Sequence, residues 1–211
     1  GLPRKDRFVL ALPQWDVSPS MADVLALNVL PTRAQDILQT LDPSGALKDI
    51  EFVWSGSSLA DVRVQADVES LSVNPWLGSP GIDGLSGRVI FQRDKGAFVL
   101  DSPSRLTLFF PKIYNQKHVF HKASGELEWS VVRDRLLING VNLSLQSLDG
   151  KVDYGAGFNL DAKIKKDAAP SNLRLEAGFT HAKLQELTDF VPLTLAGSLL
   201  TWIEQSGAAG T

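Results

Sequence analysis

The stretch that decides the fold is Val62-Arg63-Val64-Gln65-Ala66-Asp67-Val68-Glu69. Its apolar residues Val62, Val64, Ala66 and Val68 hold one parity, and Arg63, Gln65, Asp67 and Glu69 hold the other. Successive side chains of a strand point to opposite faces, so a period of two with charge on one parity marks a strand with one wet and one apolar face. The pattern recurs downstream: Leu127, Trp129 and Val131 alternate with Glu126, Glu128 and Ser130, and Val141, Leu143 and Leu145 with Asn142, Ser144 and Gln146. Phe158, Leu160, Ala162 and Ile164 alternate with Asn159, Asp161, Lys163 and Lys165, and Leu173, Leu175, Ala177 and Phe179 with Arg174, Glu176 and Gly178. Parallel strands are covered on both faces and read as unbroken apolar runs, so the sheet is expected to be antiparallel.

Turn residues fall between these stretches. Arg93-Asp94-Lys95-Gly96 separates Arg88–Gln92 from Ala97–Asp101 and predicts a hairpin whose Gly takes positive φ. Asp149-Gly150 predicts a second hairpin, and Gly155-Ala156-Gly157 a further break before Phe158. Asn139-Gly140 is read as a bulge inside one long strand from Arg135 to Ser147, since Arg135–Ile138 alone is very short. The glycines 78, 81, 84 and 87 recur every third residue, too few for collagen, and are read as a flexible loop leading into the strand at Arg88.

Helical spacing appears in Pro31–Leu41, with Ala34, Ile37, Leu38 and Leu41 on one face and a stop at Asp42-Pro43-Ser44-Gly45. It appears again in Pro192–Gln205, and a shorter helix is expected at His181–Leu187. Leu38, Leu41, Ser44 and Gly45 align with Leu200, Ile203, Ser206 and Gly207 at one constant offset. The chain is therefore read as one β-rich segment over residues 1–211, with a repeat unit at 31–191 and the next beginning at about 192. Ten to twelve strands and two or three short helices are expected. The helices are too few to cover so much one-sided sheet. Three arrangements remain: a closed sandwich, a barrel, or an open face meant for an apolar ligand.

Composition narrows the function classes. The 211 residues include 21 basic and 24 acidic side chains, a formal charge of −3, which gives no electrostatic reason to expect nucleic acid. Hydrophobic residues at 44% and charged residues at 21% suit a folded domain. The absence of Cys excludes disulfides, thiolate metal sites and thiol catalysis. No run of 18 apolar residues exists to span a membrane as a helix. Gly1 stands where an initiator Met would, and Gly207-Ala208-Ala209-Gly210-Thr211 follows a predicted helix, so both ends are read as cuts in a longer chain.

No catalytic constellation emerges. His118 and His121 form a His-x-x-His pair, but zinc needs further ligands and only His181 remains among the histidines; the pair is read as solvated, with no metal. Acids fall singly on the polar parity of strands rather than in dyads. There is no nucleophile elbow, P-loop or dinucleotide fingerprint, so neither an enzyme nor a cofactor is expected. An outer-membrane barrel fits poorly, because two Tyr and scattered Trp make no aromatic girdles.

Several motifs resemble a known family in order and spacing. They are Asn74-Pro75-Trp76 followed by Gly78–Gly87, Leu106–Pro111, Ser124-Gly125-Glu126-Leu127-Glu128-Trp129, Leu137–Leu145, and Phe190-Val191-Pro192 with Leu200-Thr201-Trp202-Ile203. With Val29-Leu30-Pro31 and Leu38–Leu47 they cover roughly residues 20 to 207, and together they resemble the YhdP branch of the AsmA-like bacterial envelope proteins. The resemblance implies an elongated, curved antiparallel sheet forming an open apolar trough. It further implies a Gram-negative periplasmic location, an inner-membrane anchor in the full-length protein, and conduction of phospholipids between inner and outer membranes. Its partners are then phospholipid acyl chains and the two membranes, with no nucleic acid and no catalytic residues. The apolar-parity sets become the expected groove lining: Val62, Val64, Val68, Leu106, Leu108, Phe110, Leu127, Trp129, Val131, Leu143, Leu145, Phe158, Leu160, Ile164, Leu173, Leu175 and Phe179. The competing reading of the same residues is the dry core of a structural or adhesive β-sandwich module.

Overall fold

A computed structural model describes residues 7–18, 32–55, 62–76, 80–114, 116–133, 135–163 and 172–180. In chain order the elements are β1 (Phe8–Asp16), α1 (Thr32–Leu41), β2 (Ser44–Trp54), β3 (Val62–Val73), β4 (Gly81–Gln92), β5 (Lys95–Ser102), β6 (Leu106–Phe109), β7 (His118–Val132), β8 (Arg135–Ser147), β9 (Asp153–Lys163) and β10 (Asn172–Thr180). The helices expected at 181–187 and 192–205, and Ile164, lie outside the described residues.

All ten strands belong to one antiparallel sheet with the order β1-β2-β3-β4-β5-β7-β8-β9-β10. The short β6 pairs with β4 and β7. β5 also lies between β4 and β7, so β6 continues its lane after an interruption at Pro103–Arg105. With β5 and β6 counted as one interrupted lane, neighbouring lanes of the sheet are consecutive in sequence. The path runs open from β1 to β10, and among the described residues there is no second sheet.

The turns follow local chemistry. The hairpin between β4 and β5 closes on Arg93 and Asp94, with Arg93 at φ 61°. Gly96 lies inside β5 at a negative or extended φ, so the residue expected to make the turn serves another purpose. Gly150, at φ 69°, turns the chain between β8 and β9 as expected. α1 stops at Asp42, which takes the left-handed conformation at φ 42° while its N–H donates to the Leu38 carbonyl. Pro43 then prevents continuation.

Two loop expectations are overturned. Residues 81–87 form the first half of β4, and Gly155-Ala156-Gly157 lie inside β9. In both places the segment pairs with a strand on each side, through interrupted register in the first half of β4 and across a bulge in β9, and this pairing outweighs the weak strand propensity of glycine. The bulge reading of Asn139-Gly140 holds, since β8 is one strand whose register shifts between Gly140 and Leu143.

A packed core occupies one end of the apolar face. Val68, Phe98, Leu100, Leu106 and Ala123 are buried together, with Leu47, Leu71, Ile82, Leu85, Val89 and Leu143 packed against them. Ser102 is fully buried there, its hydroxyl accepting from the Ser86 N–H at 2.8 Å and donating to the Ser86 carbonyl at 3.3 Å. A buried hydroxyl is tolerable when both its functions are satisfied in this way.

Candidate functional site: one continuous apolar face

Directly opposed residues of an antiparallel pair share a face, so register tells which side chains from distant strands come together. One row reads Leu10, Phe52, Val64, Phe91, Gly96, Trp129, Ile138, Leu160 and Leu173, one residue from each of nine strands. The next row reads Ala66, Val89, Phe98, Leu127, Gly140, Phe158 and Leu175. A third runs Leu47, Val68, Gly87, Leu100 and Gly125. No polar side chain enters any of them. At about 4.8 Å per strand, nine strands carry the first row across roughly 38 Å.

The expected lining residues sit as follows. Val62, Val64 and Val68 of β3, and Leu127, Trp129 and Val131 of β7, fall on this face, Val131 opposite Leu136. Leu106 and Leu108 of β6 pack with its core, and Phe110 lies just beyond the strand. Leu143 and Leu145 of β8 and Phe158 and Leu160 of β9 join the same face. For Leu173, Leu175 and Phe179 of β10 the register sets partners at Leu160, Phe158 and Tyr154.

Val141 departs from the expected alternation. It pairs with Glu126 on the polar face, because the bulge at Gly140–Leu143, with Asn142 at φ 52°, switches the apolar parity from even to odd numbers. Leu136, Ile138 and Gly140 precede the switch, and Leu143 and Leu145 follow it. Ser70, at φ 50°, does the same in β3, handing the face from Val68 to Leu71 and Val73.

β1 and β2 extend the face beyond the residues expected to line it. Phe8, Leu10 and Leu12 pair with Trp54, Phe52 and Ile50. Phe8, Leu10, Leu12, Trp54 and Phe91 each keep 39–53% of their surface exposed. The alternation of Ile50, Phe52 and Trp54 with Glu51 and Val53 was visible in the sequence. β1, by contrast, gives no alternation, because Val9 and Ala11 place apolar groups on its other face as well.

Glycines on this face make room for rings. A methyl group added at Gly96 would stand 2.5 Å from Cε2 of Trp129, and one at Gly140 would stand 2.5 Å from Cε1 of Phe158. At Gly87 it would meet Cζ of Phe98 at 2.9 Å. The large side chains therefore lie along the sheet, over neighbouring glycines, instead of standing clear of it.

The opposite face carries the charges. Asp67 pairs with Arg88, Lys48 with Glu69 at 2.6 Å, Arg135 with Asp161, and Arg174 with Glu176. Asn159 donates to Asn139 at 2.9 Å, and Gln65 to Glu51 at 3.3 Å. The hydrogen bonds from Arg88 hold the Asp67 carboxyl below its ordinary value, and Glu69 raises Lys48. Two concavities are lined by residues of both parities in the β4–β10 region. The larger, about 650 Å³, is lined in part by Ile90, Ala97, Glu128, Asn139 and Asp161, and the smaller, about 390 Å³, by Val141, Asn159, Arg174 and Glu176.

The histidine pair separates. His118 is buried in β7, its ring edge-on to Tyr114 at 4.6 Å, whereas His121 is exposed. The expectation that both are solvated therefore fails at His118, where β7 begins earlier than the polar run Asn115-Gln116-Lys117 suggested. Burial raises the Tyr114 phenol above its ordinary value. Among the described residues there is no group of three or more His, Cys, Asp or Glu placed to hold a metal. None of their helices is long and apolar enough to cross a membrane.

These features define a mainly-β protein in which the described strands form one antiparallel sheet with a continuous apolar face and a charged face. Residues 4–211 match the family model described as YhdP protein, and the chain belongs to that family. No curated protein and no solved structure matches it significantly.

Proposed function

We propose that this chain is a segment of a non-enzymatic, bridge-like lipid conduit in the periplasm of a Gram-negative bacterium. Phospholipid acyl chains travel along the apolar face while their head groups remain in water. The full-length protein, anchored in the inner membrane, links inner and outer membranes. Membership of the YhdP family supports this reading, since that family belongs to the bacterial cell envelope and to lipid transport. The observation that carries it is the register, which joins apolar residues of nine strands into a row with no polar interruption.

The energetics require such a surface. Each methylene kept from water is worth about 0.8 kcal/mol, so a sixteen-carbon chain crossing water unshielded costs on the order of 12 kcal/mol. A face that is apolar from strand to strand removes that cost at every step. The half-exposed rings of Phe8, Trp54 and Phe91 supply contact area, and no specific polar site is needed.

Native mass spectrometry of gently purified protein tests the proposal. Co-purifying phospholipid is the expected result. If no lipid or detergent binds and a charged residue at Leu143 or Leu160 simply unfolds the chain, the same residues form the dry core of a structural or adhesive module, and the conduit reading is lost.

A further inference from the structure

The charges of the chain are unevenly spread. Between Asp101 and Glu126 there is no acidic residue, while Arg105, Lys112, Lys117 and Lys122 give this stretch a formal +4 in a chain of −3. The fold gathers it in one place. β6 pairs with the first residues of β7, Leu106 opposite Phe120 and Leu108 opposite His118. Lys112 and Lys117 therefore flank the connection at one end of this short ribbon, and Arg105 lies at the other end beside His121 and Lys122. Four residues of β6 separate the two groups, about 13 Å.

All four cations are exposed. The ion pairs among the described residues join Lys48, Arg88, Arg135, Lys151 and Arg174 to acids, and none uses these four. The acid nearest in register, Asp83 opposite Thr107, accepts a hydrogen bond from Ser72 at 2.6 Å.

Aromatic groups are interleaved with the cations. Phe110 meets Tyr114 edge-on at 6.0 Å, and Lys117 Nζ lies 5.9 Å from the centre of the Phe109 ring. The Ile113 and Tyr114 N–H groups both donate to the Phe110 carbonyl, which tightens this end into a turn. Half-buried rings beside lysines that make no ion pair among the described residues match the boundary of a bilayer, where aromatic groups sit at head-group level and cations meet phosphate. Nucleic acid is the less fitting polyanion, because its backbone is usually met by a domain of basic excess.

We propose that the β6–β7 ribbon, with Arg105, Lys112, Lys117 and Lys122, is a docking surface for anionic phospholipid membranes. This contact is distinct from the apolar face and does not depend on conduction.

Sedimentation of the 211-residue chain with vesicles tests it. Vesicles of phosphatidylcholine alone are compared with vesicles carrying phosphatidylglycerol at roughly one lipid in four. The chain is expected to bind only the anionic vesicles, and to release them as salt rises from about 0.05 to about 0.5 M. Each basic residue near an anionic surface is worth about fivefold in partitioning, so a Lys112→Gln/Lys117→Gln double variant should lose on the order of twentyfold. Arg174→Gln, removing a cation of the polar face, should change little. Equal binding to both vesicles overturns the proposal, as does full binding by the double variant. So does capture of an oligonucleotide in preference to the anionic vesicles. Circular dichroism confirms that each variant keeps its strands, and lipid co-purifying with the double variant, read separately, reports on the apolar face.

Discussion

Trp129 lies over Gly96. The two residues face each other across β5 and β7, and the indole fills the volume that any side chain at position 96 would need. Gly96 has no positive φ, so space alone demands glycine here. Gly96→Ala is expected to destabilise the chain by about 1–3 kcal/mol through overpacking. Gly155→Ala is the control, since its added methyl finds only the Gly178 carbonyl, at 3.9 Å. That change should be neutral or slightly stabilising, as alanine costs less chain entropy than glycine. Urea unfolding followed by circular dichroism measures both, and a smaller residue at Trp129 should rescue Gly96→Ala only in part, because the Ile90 carbonyl also stands 2.8 Å from the added methyl.

The bulge at Asn142 decides which residues of β8 face the apolar side. Its φ of 52° is one that glycine adopts freely, asparagine tolerates and β-branched residues resist. Asn142→Gly should therefore be nearly neutral, and Asn142→Val should cost about 1–3 kcal/mol. Deleting residue 142 is the sharper test. Without the extra residue, either Leu143 and Leu145 turn to the charged face or the β8–β9 register slips by one position. Loss of cooperative unfolding is the expected outcome, and a deletion variant as stable as wild type would contradict this account of the bulge.

Alternation in Val62–Glu69 was enough to predict a one-sided antiparallel sheet, because charge on every second residue leaves a strand no other way to satisfy both faces. The glycines were harder to read. Gly81, Gly84, Gly87, Gly96, Gly155 and Gly157 all look like punctuation in a sequence, yet each lies within a strand. What distinguishes them is the neighbouring strand: Trp129 lies opposite Gly96, and Gly140 and Gly178 lie opposite Phe158 and Gly155. Such pairings are non-local, so no window along the chain contains them. The parity switches at Ser70 and Asn142 were hidden for the same reason, and Val141 was placed on the wrong face as a result. β1 shows the opposite limit. Its residues are apolar on both parities, and only pairing with β2 reveals which of them continue the apolar face.

The turn between β8 and β9 should respond to acid. The Ser147 hydroxyl, the Lys151 N–H and the Lys151 ammonium bond the Asp149 carboxylate and hold its pKa down to about 2, from an ordinary 3.8. A carboxyl depressed on folding stabilises the fold fully above its unfolded value and ceases to do so as pH falls through the folded one. The contribution is therefore complete at neutral pH and lost between about pH 4 and pH 2. Carboxyl-detected NMR should give Asp149 an apparent pKa well below that of a free aspartate, and Ser147→Ala should move it upward. Ser147 also accepts from the Val152 N–H at 3.0 Å, so Asp149→Asn serves as the companion variant that leaves this bond intact. An Asp149 titrating at the ordinary value would remove the basis for this acid dependence.

Burial separates residues that hold the sheet from residues that offer it to a ligand. Leu106 is 1% exposed, and its truncation to Ala should cost about 2–5 kcal/mol. Phe91 is 39% exposed on the same face, and Val99 is 46% exposed on the charged face. An aspartate at either exposed position leaves the buried cluster of Phe98, Leu100 and Leu106 untouched, so both variants should fold. They should differ in what they carry. Phe91→Asp interrupts the row that runs from Leu10 to Leu173 and puts an unpaired charge where an acyl chain would lie, which should cut co-purifying lipid on the order of tenfold. Val99→Asp should leave lipid content unchanged, because its side chain joins Arg88 and Glu126 on the opposite face. Mass spectrometry of the two proteins side by side reads the result. Equal lipid in both, or loss only in Val99→Asp, would mean that acyl chains do not follow the apolar row.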